Sequence, residues 1–436
     1  MASLKIRIVP CGALSMLWLL MVTVSPCLSP PAAAAPLFDQ TNLVTNDQVA
    51  NPAQVTDPNL KNAWGISLST ASPFWVSDNG SGLATLYRVD ANTNATTIVP
   101  LVVTIPPINS GTPTGQVFNT GATSGAFNGN LFLFVSEDGT VSGWRNALGT
   151  TAEILQLASS ANVYKGTTEA TISGHSYLYA ANFRAGTIDV LKGDPAAPDL
   201  TSKFTDPGLP SGYAPFDIRL LGGKIYVTYA QQDANKKDDV PGPGHGFVSV
   251  FDTQGNFIGR VASMGTLNSP WGLEIAPSSF GQFAGDLLVG NFGDGRINAF
   301  DLLTVVFVGQ LLALDGSALT IDGLWALTVG NDGLGGSSNK LYFSAGPDEE
   351  MNGLFGVITA SAATVPEPGT ILLLAVGLGA GLLQRRLRRC DGLRQGGAIA
   401  AGRVLELSSD ADAELSRHPK SGPDCCHRGA RADGRA

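Results

Sequence analysis

Between residues 60 and 360 the apolar positions fall in short alternating runs broken by Gly, Asn and Asp, the period-two pattern of strands rather than the longer period of helices. Four runs open alike, with an aromatic, a small or acidic residue, then alternation: Trp64-Gly65-Ile66-Ser67-Leu68, Phe216-Asp217-Ile218-Arg219-Leu220, Trp271-Gly272-Leu273-Glu274-Ile275 and Trp325-Ala326-Leu327-Thr328-Val329. Degenerate copies near Phe118 and Tyr164 fill the gap, giving intervals of 54, 46, 52, 55 and 54 from Trp64 onward. Each unit continues with a second apolar run, a polar turn and a third run, as in Phe74 to Gly80 leading to Thr85-Leu86-Tyr87-Arg88-Val89. Three to four short strands repeated six times predict an all-β, six-bladed β-propeller over residues 36–363. The inner strands are expected to be buried on both faces, with the repeated aromatic wedged between neighbouring blades. Leu37 to Val44 is expected to pair with Leu354 to Ile358 and so close the ring, which removes its free edges.

The termini follow a different pattern. Residues 1–35 run from Lys5 and Arg7 through an uncharged Leu- and Met-rich stretch to Pro30-Pro31-Ala32-Ala33-Ala34-Ala35, the order of a secretory signal peptide cleaved near Ala34. Its apolar stretch, Gly12 to Val24, is too short to span a bilayer. Residues 364–389 hold Val365-Pro366-Glu367-Pro368, the uncharged run Thr370 to Gln384, and Arg385, Arg386, Arg388 and Arg389. As a helix that run reaches about 20 Å against about 30 Å of hydrocarbon, so it suits a temporary stop in the membrane, with the arginines on the cytoplasmic side. Residues 390–436 carry seven basic and seven acidic residues without strand or helix period, as a disordered tail or an artefact of a shifted reading frame would.

Composition narrows the chemistry. All five cysteines lie outside 36–363, so that span has neither a disulfide framework nor a thiol nucleophile. It holds 14 basic and 28 acidic residues, and Lys236-Lys237 is offset by Asp238-Asp239; no basic stripe exists, which argues against nucleic acid as a partner. Its two histidines, His175 and His245, sit in glycine-flanked loop sequence, a poor setting for a histidine base or a multi-histidine metal site. The loops entering each inner strand and leaving each second strand share one rim, where Asp78, Asn79, Glu137, Asp138, Asn182, Asp217, Asn291, Asp294 and Asp348 to Glu350 are expected. Asp78, Asn182, Asn291 and Asp294 are therefore candidate ligands for a hard cation such as Ca²⁺, although Asp and Asn are also ordinary turn formers. No cofactor is certain.

The tripartite segment 364–389 closely resembles the PEP-CTERM sorting signal of exported proteins in Gram-negative, polysaccharide-producing bacteria. That resemblance implies export through the Sec translocon, transient anchoring in the inner membrane, and processing by an exosortase at Pro366-Glu367-Pro368. The strand starts and turns resemble NHL and TolB-like six-bladed propellers. Gln40 to Val44, Ala181 to Val190 and Asp238 to Gly244 look like a conserved, uncharacterised family of PEP-CTERM-bearing propellers. Two functions stay open. One is a binding or structural module of the envelope or extracellular matrix, with polysaccharide or a surface protein as partner. The other is a metal-dependent hydrolase or lactonase on the loop rim, since gluconolactonase-like propellers set Glu, Asn and Asp around a divalent ion; its catalytic candidates are Asp217 and Glu274, the latter either lining the channel or pairing with Arg219.

Overall fold

The computed structural model describes residues 36–361. Residues 1–35, read above as a signal peptide, the sorting segment (364–389), residues 390–436, residues 362 and 363, and all five cysteines lie outside the described residues. Six sheets follow one another along the chain, antiparallel apart from two two-residue parallel pairings of Leu37–Thr45, and outside the closing sheet the blade strands pair in sequence order. Blade 1 is built from Ala63–Ser67, Phe74–Asp78, Leu83–Val89 and Thr96–Ile98, and blade 2 from Pro113–Phe118, Phe132–Ser136, Val141–Trp144 and Glu153–Gln156. Blade 3 has three strands, Tyr164–Ile172, His175–Asn182 and Thr187–Lys192. Blade 4 comprises Tyr213–Leu221, Lys224–Gln231, Phe247–Phe251 and Phe257–Ser263; blade 5 comprises Pro270–Ile275, Leu287–Asn291, Ile297–Asp301 and Val306–Gln310.

Blade 6 joins the two ends of the propeller. Its first three strands are Leu324–Val329, Leu341–Ala345 and Leu354–Ala360, and its outer strand is Leu37–Thr45, antiparallel to Leu354–Ala360 from Phe38↔Ala360 to Thr45↔Leu354. The expected closure therefore forms. Its apolar anchors are Phe38, Leu43 and Val44, all at most 1% exposed; the Phe38 ring lies 4.8 Å from Phe280 and 6.2 Å from Phe283 of blade 5. Truncating a buried phenylalanine costs about 3–5 kcal/mol, so Phe38 is a large part of what holds the seam.

The inner strands are buried on both faces, as their sequences imply, but their aromatics do not wedge between blades. In every blade the pairing of inner and second strand slips at the same place: between Ala63 and Ile66, Pro113 and Gln116, Tyr164 and Thr167, Pro215 and Asp217, Pro270 and Gly272, and Leu324 and Leu327. A bulge re-aims the side chain it carries, and six equivalent bulges turn six side chains toward the central axis. The register also corrects the repeat. The residue equivalent to Trp64 is Thr114 in blade 2 and Lys165 in blade 3, with Phe118 at the end of its strand rather than at the start. The intervals along Trp64, Thr114, Lys165, Phe216, Trp271 and Trp325 become 50, 51, 51, 55 and 54, more even than the aromatic spacing suggested.

In five of the six strands the next residue is Gly or Ala, because blades meet there. A Cβ on Gly65 would stand 2.6 Å from the carbonyl oxygen of Thr114, and one on Gly115 would stand 2.6 Å from the amide of Thr167. The ring reads Gly65, Gly115, Gly166, Asp217, Gly272 and Ala326, with a single charged member.

Candidate functional site

On the axis the re-aimed side chains form an aromatic plug. Trp64 stacks on Trp325 at 3.6 Å and meets Trp271 edge-on at 6.2 Å; Phe292 stacks on the other face of Trp325 at 3.9 Å, and Phe216 lies 6.0 Å from the same ring. The pairs Trp64–Trp271 and Phe216–Trp325 join blades that are not neighbours, so these rings fill the channel itself. All three tryptophans are at most 3% exposed. Trp325 Nε1 donates to Asn62 Oδ1 at 3.2 Å, while the indole N–H groups of Trp64 and Trp271 have no protein acceptor.

Above the plug, where the chain enters the inner strands, lies a buried ion pair. Lys165 Nζ sits 4.8 Å over the Trp64 ring and 2.7 Å from Glu137 Oε1, with Asp238 Oδ1 at 3.4 Å. Burial alone would pull the lysine down, but the facing Glu137 and Asp238 more than offset it and hold the ammonium above its ordinary range. Glu137 responds in the matching direction: burial raises it, and Lys165 brings it below the usual carboxylate value. Glu350 donates nothing but accepts from Asn62 Nδ2 at 2.6 Å, and it is delivered by three successive left-handed residues, Asp348, Glu349 and Glu350, at φ 58°, 54° and 65°. Such residues cost about 1–2 kcal/mol each, so the turn is held by its contacts, among them Asn352 Nδ2 to Asp348 Oδ2 at 2.7 Å.

Below the plug, where the chain leaves the inner strands, the axis opens into a cavity of about 390 Å³. Its wall comes from blades 1, 2, 3, 4 and 6 and is rich in hydroxyl and amide groups: Ser67, Gln116, Thr120, Thr167, Thr168, Thr171 and Thr328, with Leu68 and the half-buried ring of Phe118 as apolar surface. Glu169 is fixed on that wall by hydroxyls, Thr120 Oγ1 donating at 2.7 Å and Thr171 Oγ1 at 3.1 Å. Arg219 also lines it, with Nη2 3.5 Å from Glu274 Oε2 of blade 5. At that distance the guanidinium is held loosely and keeps donors free for a guest, since an arginine carries five N–H groups. Two larger grooves, of 610 and 670 Å³, lie at the blade perimeter.

The structure separates the residues expected on the rim. Asn79, Glu137 and Glu350 do converge at the upper mouth, Asn79 Nδ2 standing 3.4 Å from Glu137 Oε2. Asp78, Asn182 and Asn291 close equivalent second strands of blades 1, 3 and 5. Asp78 is fully buried, and burial, only partly offset by Thr85, pushes its carboxyl well up. Asn182 Nδ2 donates to Asp189 at 2.8 Å and Asn162 at 2.9 Å, and Asn291 Nδ2 donates to Asp294 at 3.0 Å, so these amides are spent on their own turns. Among the described residues no three His, Cys, Asp or Glu side chains stand together as a metal cluster.

Asp217 and Glu274 have different neighbours. Glu274 takes the second of the two roles open to it, pairing with Arg219 while Oε1 accepts the Ile275 amide at 2.9 Å; burial still leaves its pKa raised. Asp217, 1% exposed, lies against Gly166 of blade 3 with Oδ2 unpartnered, and burial, only partly countered by Arg219, lifts its pKa to about 8. His175 opens a strand and holds Asp194 at 3.0 Å, and His245 Nδ1 faces the Val240 carbonyl at 2.9 Å; neither borders the cavity. Sequence reasoning passed over Lys165 and the hydroxyl wall. The lysine occupies the aromatic position of a degenerate repeat, and its offset of 51 residues from Phe216 was the signal that could have found it.

Protein R648 of Acanthamoeba polyphaga mimivirus is 32% identical over 351 residues, covering 77% of this chain and 84% of its own length. Protein L690 of the same virus is 32% identical over 349 residues, covering 76% of this chain and 89% of its own. The chain belongs to the family of R648 and L690. Both relatives are described as uncharacterized, so the family supplies an ancestry and no activity. Residues 364–389 match the PEP-CTERM protein-sorting motif. The motif implies export, exosortase processing and sorting to the envelope for this member. Among solved structures, a streptogramin B lyase is 13% identical at a TM-score of 0.40, covering 75% of this chain and 98% of that one. The Pseudomonas aeruginosa periplasmic gluconolactonase PpgL is 15% identical at 0.39, covering 69% and 86%. Likeness at that level bears on neither chemistry nor substrate.

Proposed function

We propose that the propeller is a glycan-binding module of the cell envelope or extracellular matrix, and that the lower axial cavity is its binding site. The observation that carries this reading is the wall itself. It sets hydroxyls, an amide, one carboxylate and one arginine around a concave space, beside an aromatic ring. Sugar hydroxyls both donate and accept, so Glu169 can take a proton-bearing hydroxyl while Arg219 donates to another, and Phe118 offers a face to the sugar's C–H groups. The sorting motif adds a reason for the setting, because resemblance ties it to bacteria that export polysaccharide. In this scheme residues 1–35 are removed on export, 36–363 form the mature module, and 364–389 direct its processing.

The test is binding of the host's purified extracellular polysaccharide to the full chain, by isothermal titration calorimetry. Arg219→Ala is expected to weaken binding about tenfold to a hundredfold, the loss of charge-assisted hydrogen bonds, and to lower the melting temperature because Glu274 loses its cation, so the fold of the variant is checked by circular dichroism at the titration temperature. Binding that survives Arg219→Ala unaltered would move the site elsewhere. The hydrolase or lactonase reading relies on Asp217 and Glu274 with a divalent ion such as Ca²⁺. Turnover of a simple lactone, lost on Glu274→Gln and on chelation, would favour it over the binding module.

A further inference from the structure

We infer that the axial cavity is a blind well and that it recognises the end of a glycan chain rather than its interior. This rests on the carbohydrate reading above and adds to it a mode of recognition. A polymer bound through its middle must enter and leave its site, so it needs an open groove or a tunnel. This cavity offers neither. Inner strands of blades 1, 2, 3, 4 and 6 supply its wall, and Arg219, held by Glu274 of blade 5, bounds the remaining side, so the cavity opens only away from the plug. Its floor is the aromatic plug. Trp64 touches both Trp325 and Trp271, Phe216 reaches Trp325 across a blade, and none of these rings is more than 3% exposed. Lys165 lies over Trp64 from the far side and is itself locked by Glu137, so the axis is sealed twice before the opposite mouth.

The volume sets the size of the guest. At about 390 Å³ the well is near the small end of the range for ligand pockets, about 300–1,000 Å³, which suits a mono- or disaccharide unit and leaves the rest of a chain outside. Counted along the inner strands from the plug, Gln116 and Thr167 come first, then Thr168 and Arg219, then Glu169 and Thr120. Gln116 Nε2 and Thr167 Oγ1 donate to the Gly65 and Tyr179 carbonyls and Thr168 Oγ1 accepts the Leu220 amide, so Arg219 and Glu169 are the charged groups left for a guest. A terminal sugar entering end-on can reach both, whereas an internal sugar is held back by its links on both sides.

The experiment compares the host's extracellular polysaccharide before and after partial acid hydrolysis, at equal mass of sugar, with the full chain titrated by calorimetry. End recognition predicts that the number of sites per gram rises in proportion to the number of chain ends, and that the mono- and disaccharide fraction competes fully with intact polymer. Arg219→Ala should weaken binding about tenfold to a hundredfold in both arms, which locates it in the well. If capacity per gram is unchanged by hydrolysis and fragments of a few residues fail to compete, the protein binds chain interiors; the inference is then overturned while the glycan reading stands. If neither intact nor cleaved polymer binds, the glycan reading fails and the inference with it.

Discussion

Asp217 is the charged member of a ring whose other positions are Gly65, Gly115, Gly166, Gly272 and Ala326, and its carboxyl has an unpartnered oxygen in a fully buried setting. Its folded pKa of about 8 stands above the ordinary value of 3.8. A carboxyl raised in this way favours the folded state fully only below about pH 4, and that advantage is lost progressively as pH rises toward 8, because the unfolded chain ionises freely and the folded chain does not. Between about pH 5 and about pH 7 the loss is about 3 kcal/mol, taking about 1.4 kcal/mol per unit. With an unfolding entropy of about 2 cal/mol/K per residue over the roughly 326 described residues, that is about 4 °C in melting temperature. Asp217→Asn keeps the shape and removes the titration. Glu274, Glu350, Asp239 and Asp78 are raised in the same direction but are common to both proteins, so the difference between parent and variant isolates Asp217. Thermal unfolding by circular dichroism should therefore show the variant's advantage over the parent, which begins above about pH 4, widening by about 4 °C between about pH 5 and about pH 7. Parallel pH profiles for the two proteins would refute the reasoning, since they would mean that Asp217 is ionised in the fold or finds a partner there.

Lys165→Met should lower stability by about 3–5 kcal/mol by leaving Glu137 buried without its cation, and Glu137→Gln in the same background should recover part of that loss in denaturant titrations. Gly166→Ala should unfold or strongly destabilise blade 3, because the new Cβ would come within 2.5 Å of the Asp217 Cα; a variant melting within about 1 °C of the parent would show that the blades can separate there. Phe38→Ala should cost about 3–5 kcal/mol and speed proteolysis at the closing strand before other sites, as read by limited digestion and mass spectrometry. Intact mass of the native protein tests the sorting scheme: a chain ending near Pro366 to Pro368 outside the inner membrane is expected, and a full-length membrane-bound product would contradict it.

The aromatic-led strand starts, the polar turns and the spacing of about fifty residues were enough to determine a six-bladed propeller and its closure, because strand period and turn chemistry are local properties of the chain. The sorting motif was equally legible, being a linear signal read by a partner. What the sequence could not convey was where the repeated side chains point. One-residue bulges at Trp64, Phe216, Trp271 and Trp325 leave no mark in an alternating pattern, yet each turns its side chain from a blade interface to the axis. The same slip carries Lys165 into an aromatic position and joins it to Glu137, 28 residues away in the chain. The hydroxyl wall is a further step removed. Ser67, Gln116, Thr168, Arg219 and Thr328 come from five blades and are unremarkable one by one; only closure of the ring brings them around a single cavity. Local pattern therefore set the architecture, while the register of pairing and the closing of the circle decided the chemistry at its centre, because convergence on an axis depends on all six blades at once.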